Sequence, residues 1–296
     1  MTDRRLSDAR LQGFVDELDI VDSRRFRIVV RRLADSLGYG TDSSPFLGSG
    51  IEYVQSRPYE SGDPIRTIDW RVTARTGRFF VKEYESPKRM PVYLVIDTSA
   101  SMTISSTRHS KYATALFLAG GLALACLERV SPVGVIGAGD SGLRIRPSLS
   151  KSRIMEWLLR LRSFRYDEGT HLAERLGEIA PRLTQRVLMI VLSDLHDPAA
   201  MGALSHLVQR HDCAVVQLQD PAEVQLRGTG FLRAREAETG REFWTHGRRR
   251  HLDQEEIDRT LRRKGIDHLV VRTDRPYVHD ARRFFGSRGL LGRGAR

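Results

Sequence analysis

Three oxygen-bearing side chains at alternate positions, Asp97, Ser99 and Ser101, follow the run Pro91-Val92-Tyr93-Leu94-Val95-Ile96. One carboxylate and two neutral hydroxyls are donors that a hard dication such as Mg²⁺ accepts in near-octahedral array. Alternate spacing in an extended or looping segment lets three such oxygens converge on one point. With so little negative charge in the ligand set, a bound ion keeps affinity for a further anionic oxygen.

The elements that must position these groups follow from patterning. The run before Asp97 is continuously apolar and bounded by Pro91, as a strand covered by helices on both faces must be. Similar runs occur at Val133 to Ile136, Val187 to Leu192, Cys213 to Leu218 and His268 to Val271. Between them lie helical stretches at Lys111 to Arg129, Lys151 to about Leu161, Leu172 to Leu183, Ala199 to Arg210, Asp253 to Arg263 and Tyr277 to Phe285. Strands alternating with helices predict an α/β fold with a doubly wound, mostly parallel sheet. Ligand sites in such sheets form outside the carboxyl ends of the strands, where Asp97 lies.

Two further features are hairpin signals. Gly137-Ala138-Gly139-Asp140-Ser141-Gly142 matches the Gly-x-Gly-x-x-Gly dinucleotide pattern, but that pattern needs a helix next to hold the pyrophosphate. Here Leu143 to Pro147 alternates like a strand, so the glycines predict a turn into an antiparallel strand. Phe231 to Glu236 and Arg241 to Thr245, separated by Thr239-Gly240, predict a hairpin insertion near 229–246.

Ahead of the sheet, Leu6 to Leu37 has a helical pattern, with Phe26, Val29, Val30, Leu33 and Leu37 on one stripe. Tyr39 to Gly50 is rich in Gly and Ser and predicts a linker or ordered loop. The segment from Arg57 to Tyr84 contains the turn signal Ser61-Gly62-Asp63-Pro64 and a strand-like run from Arg78. Its own residues predict a small β-rich platform whose Arg and Asp side chains satisfy one another.

The 296 residues and 40% hydrophobic content suit one large or two modest globular domains. A net charge of +11 favours acidic partners: a protein surface, a nucleic acid or an anionic membrane. No zinc, helix-turn-helix or RNA-binding signature accompanies the charge, so nucleic-acid binding rests on charge alone. Cys126 and Cys213 form no disulfide framework, which suits a reducing, cytoplasmic setting. Met1 to Arg5 leads into no apolar signal region. Tyr112 to Leu127 is uncharged but short of the roughly 20 residues that span a bilayer, and a helix packed on a sheet accounts for it without a transmembrane segment.

The Asp97-x-Ser99-x-Ser101 pattern resembles the metal-ion-dependent adhesion site of von Willebrand factor type A domains. That resemblance implies a threonine from a later loop and an aspartate ending a later strand. Thr170, in Asp167-Glu168-Gly169-Thr170-His171, and Asp194 hold those positions. Many relatives have glycine after the aspartate, where this chain has Leu195. The segment with Arg57, Tyr59, Gly62, Asp63, Arg66, Asp69, Trp70, Ala74 and Arg75 is similar to the hallmark of a bacterial family, domain-of-unknown-function family fifty-eight, associated with MoxR-type AAA+ ATPases.

Patterning predicts a helical segment over 1–40 and a flexible tail over 287–296; between them, the two resemblances imply that the β-rich platform over 41–89 carries the family hallmark and that 90–286 is a type A-like domain. They imply a non-enzymatic, cytoplasmic interaction module that holds Mg²⁺ or Mn²⁺ through Asp97, Ser99, Ser101, Thr170 and Asp194. A partner carboxylate would complete the ion, and a MoxR-type ATPase would be the partner in assembly or maturation of a client. The main rival is a haloacid-dehalogenase-like phosphohydrolase, whose Asp-x-Asp-x-Thr motif also ends a first strand. Ser99 stands where its second carboxylate, the general acid/base, belongs.

Overall fold

Period-two alternation sends Val92, Leu94 and Ile96 to one face of a central sheet and Tyr93 and Val95 to the other, and all five are buried. The computed structural model describes residues 12–14, 52–85, 90–128, 130–140, 142–165, 167–224, 231–235, 242–246 and 254–287. Two compact units divide the chain: Asp42–Arg89, and a larger unit made of Met1–Thr41 with Met90–Arg296.

The strands are β1 (Gln12–Phe14), β2 (Glu52–Pro58), β3 (Phe80–Glu85), β4 (Val92–Ile96), β5 (Val133–Gly137), β6 (Arg144–Ser148), β7 (Ser163–Arg165), β8 (Leu188–Ser193), β9 (Asp212–Gln219), β10 (Phe231–Arg235), β11 (Glu242–His246) and β12 (Asp267–Arg272). Among the described residues, the helices longer than a single turn are α1 (Trp70–Thr76), α2 (Lys111–Glu128), α3 (Lys151–Leu161), α4 (Leu172–Ile179), α5 (Ala200–Leu207), α6 (Gln254–Arg263) and α7 (Val278–Ser287).

In the larger unit, six strands run in the order β12-β9-β8-β4-β5-β6. All neighbours are parallel except β6, which pairs antiparallel with β5. The chain builds outward from β4 through β5 and β6, then crosses to β8 and continues through β9 to β12. Between β4 and β8 the strand order therefore reverses, and the carboxyl ends there flank a crevice, the usual place for a ligand in an open α/β sheet.

One apolar layer packs α2, α3 and α7 on one face of the sheet, and a second packs α4, α5 and α6 on the other. Helix α2 is long and apolar enough to cross a membrane by length and composition, yet it is buried within this unit from Lys111 to Cys126. Both cysteines are free and buried.

Several local expectations change. The helix expected over Leu6 to Leu37 is interrupted by β1, which pairs antiparallel with β7. Two three-residue strands are too short to alternate visibly, and the pairing is long-range. The apolar stripe from Phe26 to Leu37 lies outside the described residues. Helix α4 stops at Ile179, and Ala180–Arg182 tightens into a 3₁₀ turn because Pro181 cannot continue the α-helical ladder. Helix α7 runs through Gly286 to Ser287, and the tail beyond it lies outside the described residues.

In the smaller unit, β2 and β3 pair antiparallel and α1 lies between them in sequence.

Candidate metal centre

Asp97 leaves the carboxyl end of β4 and Asp194 the end of β8, on either side of the point where the strand order reverses. Both are buried. Ser193 Oγ donates to Asp97 Oδ2 at 2.6 Å, and the Ser99 N–H donates to Asp97 Oδ1 at 3.1 Å. Ser99 holds the N-cap position of the short turn Ala100–Thr103, but its hydroxyl makes no capping bond. It faces Ser101 instead, with the two Oγ atoms 3.1 Å apart, and the Ser101 hydroxyl hydrogen-bonds Asp194. Asp97, Ser99, Ser101 and Asp194 are thus brought into one hydrogen-bonded cluster.

Thr170 comes from the neighbouring loop, which is tied to the cluster where the Ala100 N–H donates to the Glu168 carbonyl at 2.7 Å. Its Oγ1 is buried and has no hydrogen-bond partner among the described residues. A buried hydroxyl without a partner costs free energy, and it fits a place where a ligand completes the site. Burial, and then the Asp194 charge, push the Asp97 carboxyl up to about 6, against hydrogen bonds from Ser193 and Ser99 that favour the anion. A carboxylate short of positive charge and an orphaned hydroxyl are a donor set that suits a divalent cation.

Sequence reasoning missed Lys111. This first residue of α2 is fully buried, and its Nζ donates to Asp194 Oδ2 at 2.7 Å and to Glu223 Oε1. Burial alone would depress the ammonium pKa; the charges of Asp194 and Glu223 outweigh it, and the net shift is upward. Burial likewise would raise Asp194, but Lys111 and then His196 reverse this and hold its carboxyl below the usual range. Asp194, His196 and Glu223 form a second possible ligand group, their donor atoms lying within 4.8 Å of one another, with the Lys111 ammonium already bonded to both carboxylates. Glu223 belongs to a turn after β9, where buried Asp220 accepts hydrogen bonds from the N–H and hydroxyl of Ser106.

The backbone just after Asp194 adopts a left-handed conformation at Leu195, with φ of 61°. A bulky residue is rare there, and glycine would adopt it freely. The Leu195 side chain is buried and its N–H is held by Ser193 Oγ at 2.9 Å, so packing and one hydrogen bond keep the loop in this shape.

The histidines in these loops have other duties. His171 bridges Asp140 at 2.7 Å and Glu174 at 2.9 Å, and the Asp140 hydrogen bond raises its pKa. His196 Nδ1 lies 3.4 Å from Asp194 Oδ2. Asp197 accepts from the Ala173 and Ala199 N–H groups at 2.9 and 2.8 Å, which makes it a brace between loops and the start of α4.

In the smaller unit the hallmark residues split into two groups. Arg57 grips Asp63 with two hydrogen bonds of 2.8 and 2.7 Å, while Asp63 also accepts from the Glu60 N–H. The turn between them needs Gly62, whose φ is +114°. Asp69 caps α1 by accepting from the Arg71 and Val72 N–H groups, and takes the Ser56 hydroxyl at 2.7 Å. Arg57 and Asp63 thus satisfy one another, as the residue types suggested, whereas Asp69 is satisfied by Ser56 and backbone N–H groups rather than by an arginine. The second group faces solvent: Trp70 is 62% exposed and the Tyr59 ring sits edge-on to Phe79, and Ile65 and Phe79, outside the hallmark, are 71% and 56% exposed. Arg66 and Arg75 are also exposed and have no ion-pair partner among the described residues.

Together, fold and site define an α/β protein whose central parallel sheet carries a buried carboxylate–hydroxyl cluster at its switch point. The chain belongs to the family described as Protein of unknown function DUF58, which matches residues 55–267. It is 26% identical over 293 residues to uncharacterized proteins of Mycobacterium bovis and Mycobacterium tuberculosis, covering 94% of this chain and 92% of each relative. An uncharacterized protein of Mycobacterium avium is 30% identical over 114 residues, or 35% of this chain and 68% of that one. The crystal structure of the Deinococcus radiodurans RO (RSR) protein is similar over 91% of this chain and 49% of that chain, at 18% identity and a TM-score of 0.35.

Proposed function

We propose that the chain is a non-enzymatic, divalent-cation-dependent protein interaction module whose larger unit has the von Willebrand factor type A architecture. Asp97, Ser99, Ser101, Thr170 and Asp194 would hold Mg²⁺ or Mn²⁺, directly or through water. The observation that carries this reading is the buried Thr170 hydroxyl, without a partner among the described residues, in the loop that Glu168 ties to Ala100, three residues after a carboxylate whose own burial disfavours its charge. The ion would supply an unfilled coordination position for a carboxylate of a partner protein.

The partner we infer is a MoxR-type AAA+ ATPase, acting with this chain in the cytoplasm on assembly or maturation of a client. The association rests on the similarity of the Arg57 to Arg75 hallmark to that of the ATPase-associated family. Exposed Trp70, Ile65 and Phe79 beside unpaired arginines give the smaller unit the composition of an interface, where aromatic and Arg side chains dominate binding energy. A phosphohydrolase reading is disfavoured because Ser99, hydrogen-bonded to Ser101, stands two residues after Asp97 where a carboxylic general acid is needed.

The test is a calorimetric titration of Mg²⁺, then Mn²⁺, into the whole chain and into Asp97→Ala, followed by capture of a purified MoxR-type ATPase with and without chelator. Near-stoichiometric binding lost in the variant, with chelator-sensitive capture, is the expected result. Capture that falls with salt but ignores both chelator and the variant would show that the arginine-rich surface alone does the binding.

A further inference from the structure

A cavity of about 410 Å³ opens in the larger unit; none of the five groups argued to hold the cation lines it, although Thr98 stands between two of them in sequence. Its buried lining is mixed: Thr98, Glu168, Tyr112 and Leu161 are all buried, and Thr98 Oγ1 donates to Glu168 Oε1 at 3.0 Å. Three guanidinium groups from three elements also line it: Arg144 opens β6, Arg160 lies in the last turn of α3 and Arg165 ends β7. Arg165 is occupied by Asp167, with two bonds of 3.0 Å. Arg144 and Arg160 are exposed, and neither has a hydrogen-bond or ion-pair partner among the described residues.

Two guanidiniums without a partner among the described residues give one concavity a positive lining, and their planar forks suit phosphate oxygens. Tyr112, Leu143 and Leu161 add apolar surface, as small-molecule sites require, and the volume is within the range of such sites. Glu168 accepts hydrogen bonds and so selects a ligand that carries hydroxyls.

The glycine-rich loop acquires a role here. β6 follows it, so no helix N-terminus is offered to a pyrophosphate. Gly142 nevertheless lines the cavity, and Gly139 allows the loop to close on the lining: a Cβ there would come within 2.3 Å of both Glu168 Oε1 and Thr98 Oγ1.

We propose that this cavity binds a small hydroxyl-bearing organic phosphate, of nucleoside monophosphate size, through Arg144 and Arg160 with Glu168 accepting from its hydroxyls. The proposal does not depend on the cation reading.

The test titrates AMP, GMP, ribose 5-phosphate, inorganic phosphate and citrate into the full chain, into Arg144→Gln and Arg160→Gln, and into the double variant. One of the three organic phosphates should bind near one equivalent and about 10-fold or more tighter than inorganic phosphate or citrate. Each single variant should weaken it about 10-fold, the double variant further, without lowering the melting temperature, because both side chains are exposed. Saturating chelator should leave its affinity unchanged, which separates this site from the candidate cation site. Equal affinity in the parent and the double variant overturns the proposal. So does a panel in which citrate binds best or no organic phosphate exceeds inorganic phosphate.

Discussion

Lys111 Nζ lies 2.7 Å from Asp194 Oδ2, and neither residue reaches solvent to any useful extent. An ammonium thus neutralises one of the two carboxylates at the switch point, while Asp97 has only hydrogen bonds. Breaking a buried ion pair from one side leaves a charge stranded, at a cost of about 3–5 kcal/mol. Lys111→Met should therefore destabilise the cation-free chain by about that much. Added Mg²⁺ or Mn²⁺ should restore more stability in the variant than in the parent, since it would meet an Asp194 that no longer has its own counter-charge. Urea denaturation with and without the ion reads both effects; equal stabilisation of the two proteins would show that Lys111 and the ion do not share Asp194.

The Asp97 carboxyl, pushed up to about 6, binds its proton more tightly in the folded chain than the unfolded value near 3.9. Its contribution to stability is fully present below about pH 4 and is lost as pH rises through about 6. Asp97→Asn should remove on the order of 2–3 kcal/mol of that decline between pH 4 and 7, and should abolish cation binding. In the parent, cation binding at pH 5.5 should release protons, measurable by calorimetry in buffers of different ionisation enthalpy. An unchanged pH profile in the variant would mean that Asp97 is not the group that titrates.

Gly139 and Gly177 make a matched pair. A methyl group at Gly139 collides with Glu168 and Thr98, whereas at Gly177, in α4, nothing lies within 4 Å. Gly139→Ala should cost about 1–3 kcal/mol by overpacking, and Gly177→Ala should stabilise by about 0.5–1 kcal/mol through helix propensity. Denaturation midpoints of the two variants should move in opposite directions.

Trp70 and Asp69 are adjacent in sequence and opposite in role. Trp70→Ala should leave the melting temperature unchanged because the ring is largely exposed, yet weaken ATPase capture by a hot-spot amount, about 2 kcal/mol or more. Asp69→Ala should instead speed amide exchange across α1, since it removes the cap and the bond from Ser56. Capture unaffected by Trp70→Ala would move the interface off this unit.

The sheet was legible because its strands are short, apolar and separated by helical spacing, and because Pro91 and the Asp97 cluster mark the ends of β4. Asp97, Ser99 and Ser101 could be found as a spaced pattern, whereas Thr170 and Asp194 were reached only through the family resemblance. Lys111 could not: it precedes an uncharged helix, as a solvated flanking lysine does, and its partner Asp194 is 83 residues away. The visible signal was a lone charge at the mouth of an apolar helix, and only the fold says that the mouth is buried. Thr98 and Glu168 were hidden for the same reason, since a bond across 70 residues leaves no local trace. The Arg57 and Asp63 pairing was legible because its two halves lie within one turn.

The adjacency of β4 and β8 bears on how the chain folds. β5 follows β4 after a single helix, but β8 returns to β4 only after β5, β6, α3 and α4 have been made, and Ser193 meets Asp97 across 96 residues. Such a pairing closes a long loop, and long-range parallel pairing is slow to form. A ligand that needs the ends of both strands can recognise only the finished sheet. It would leave the folding rate nearly untouched and act as a brake on unfolding, lengthening the lifetime of the assembled state.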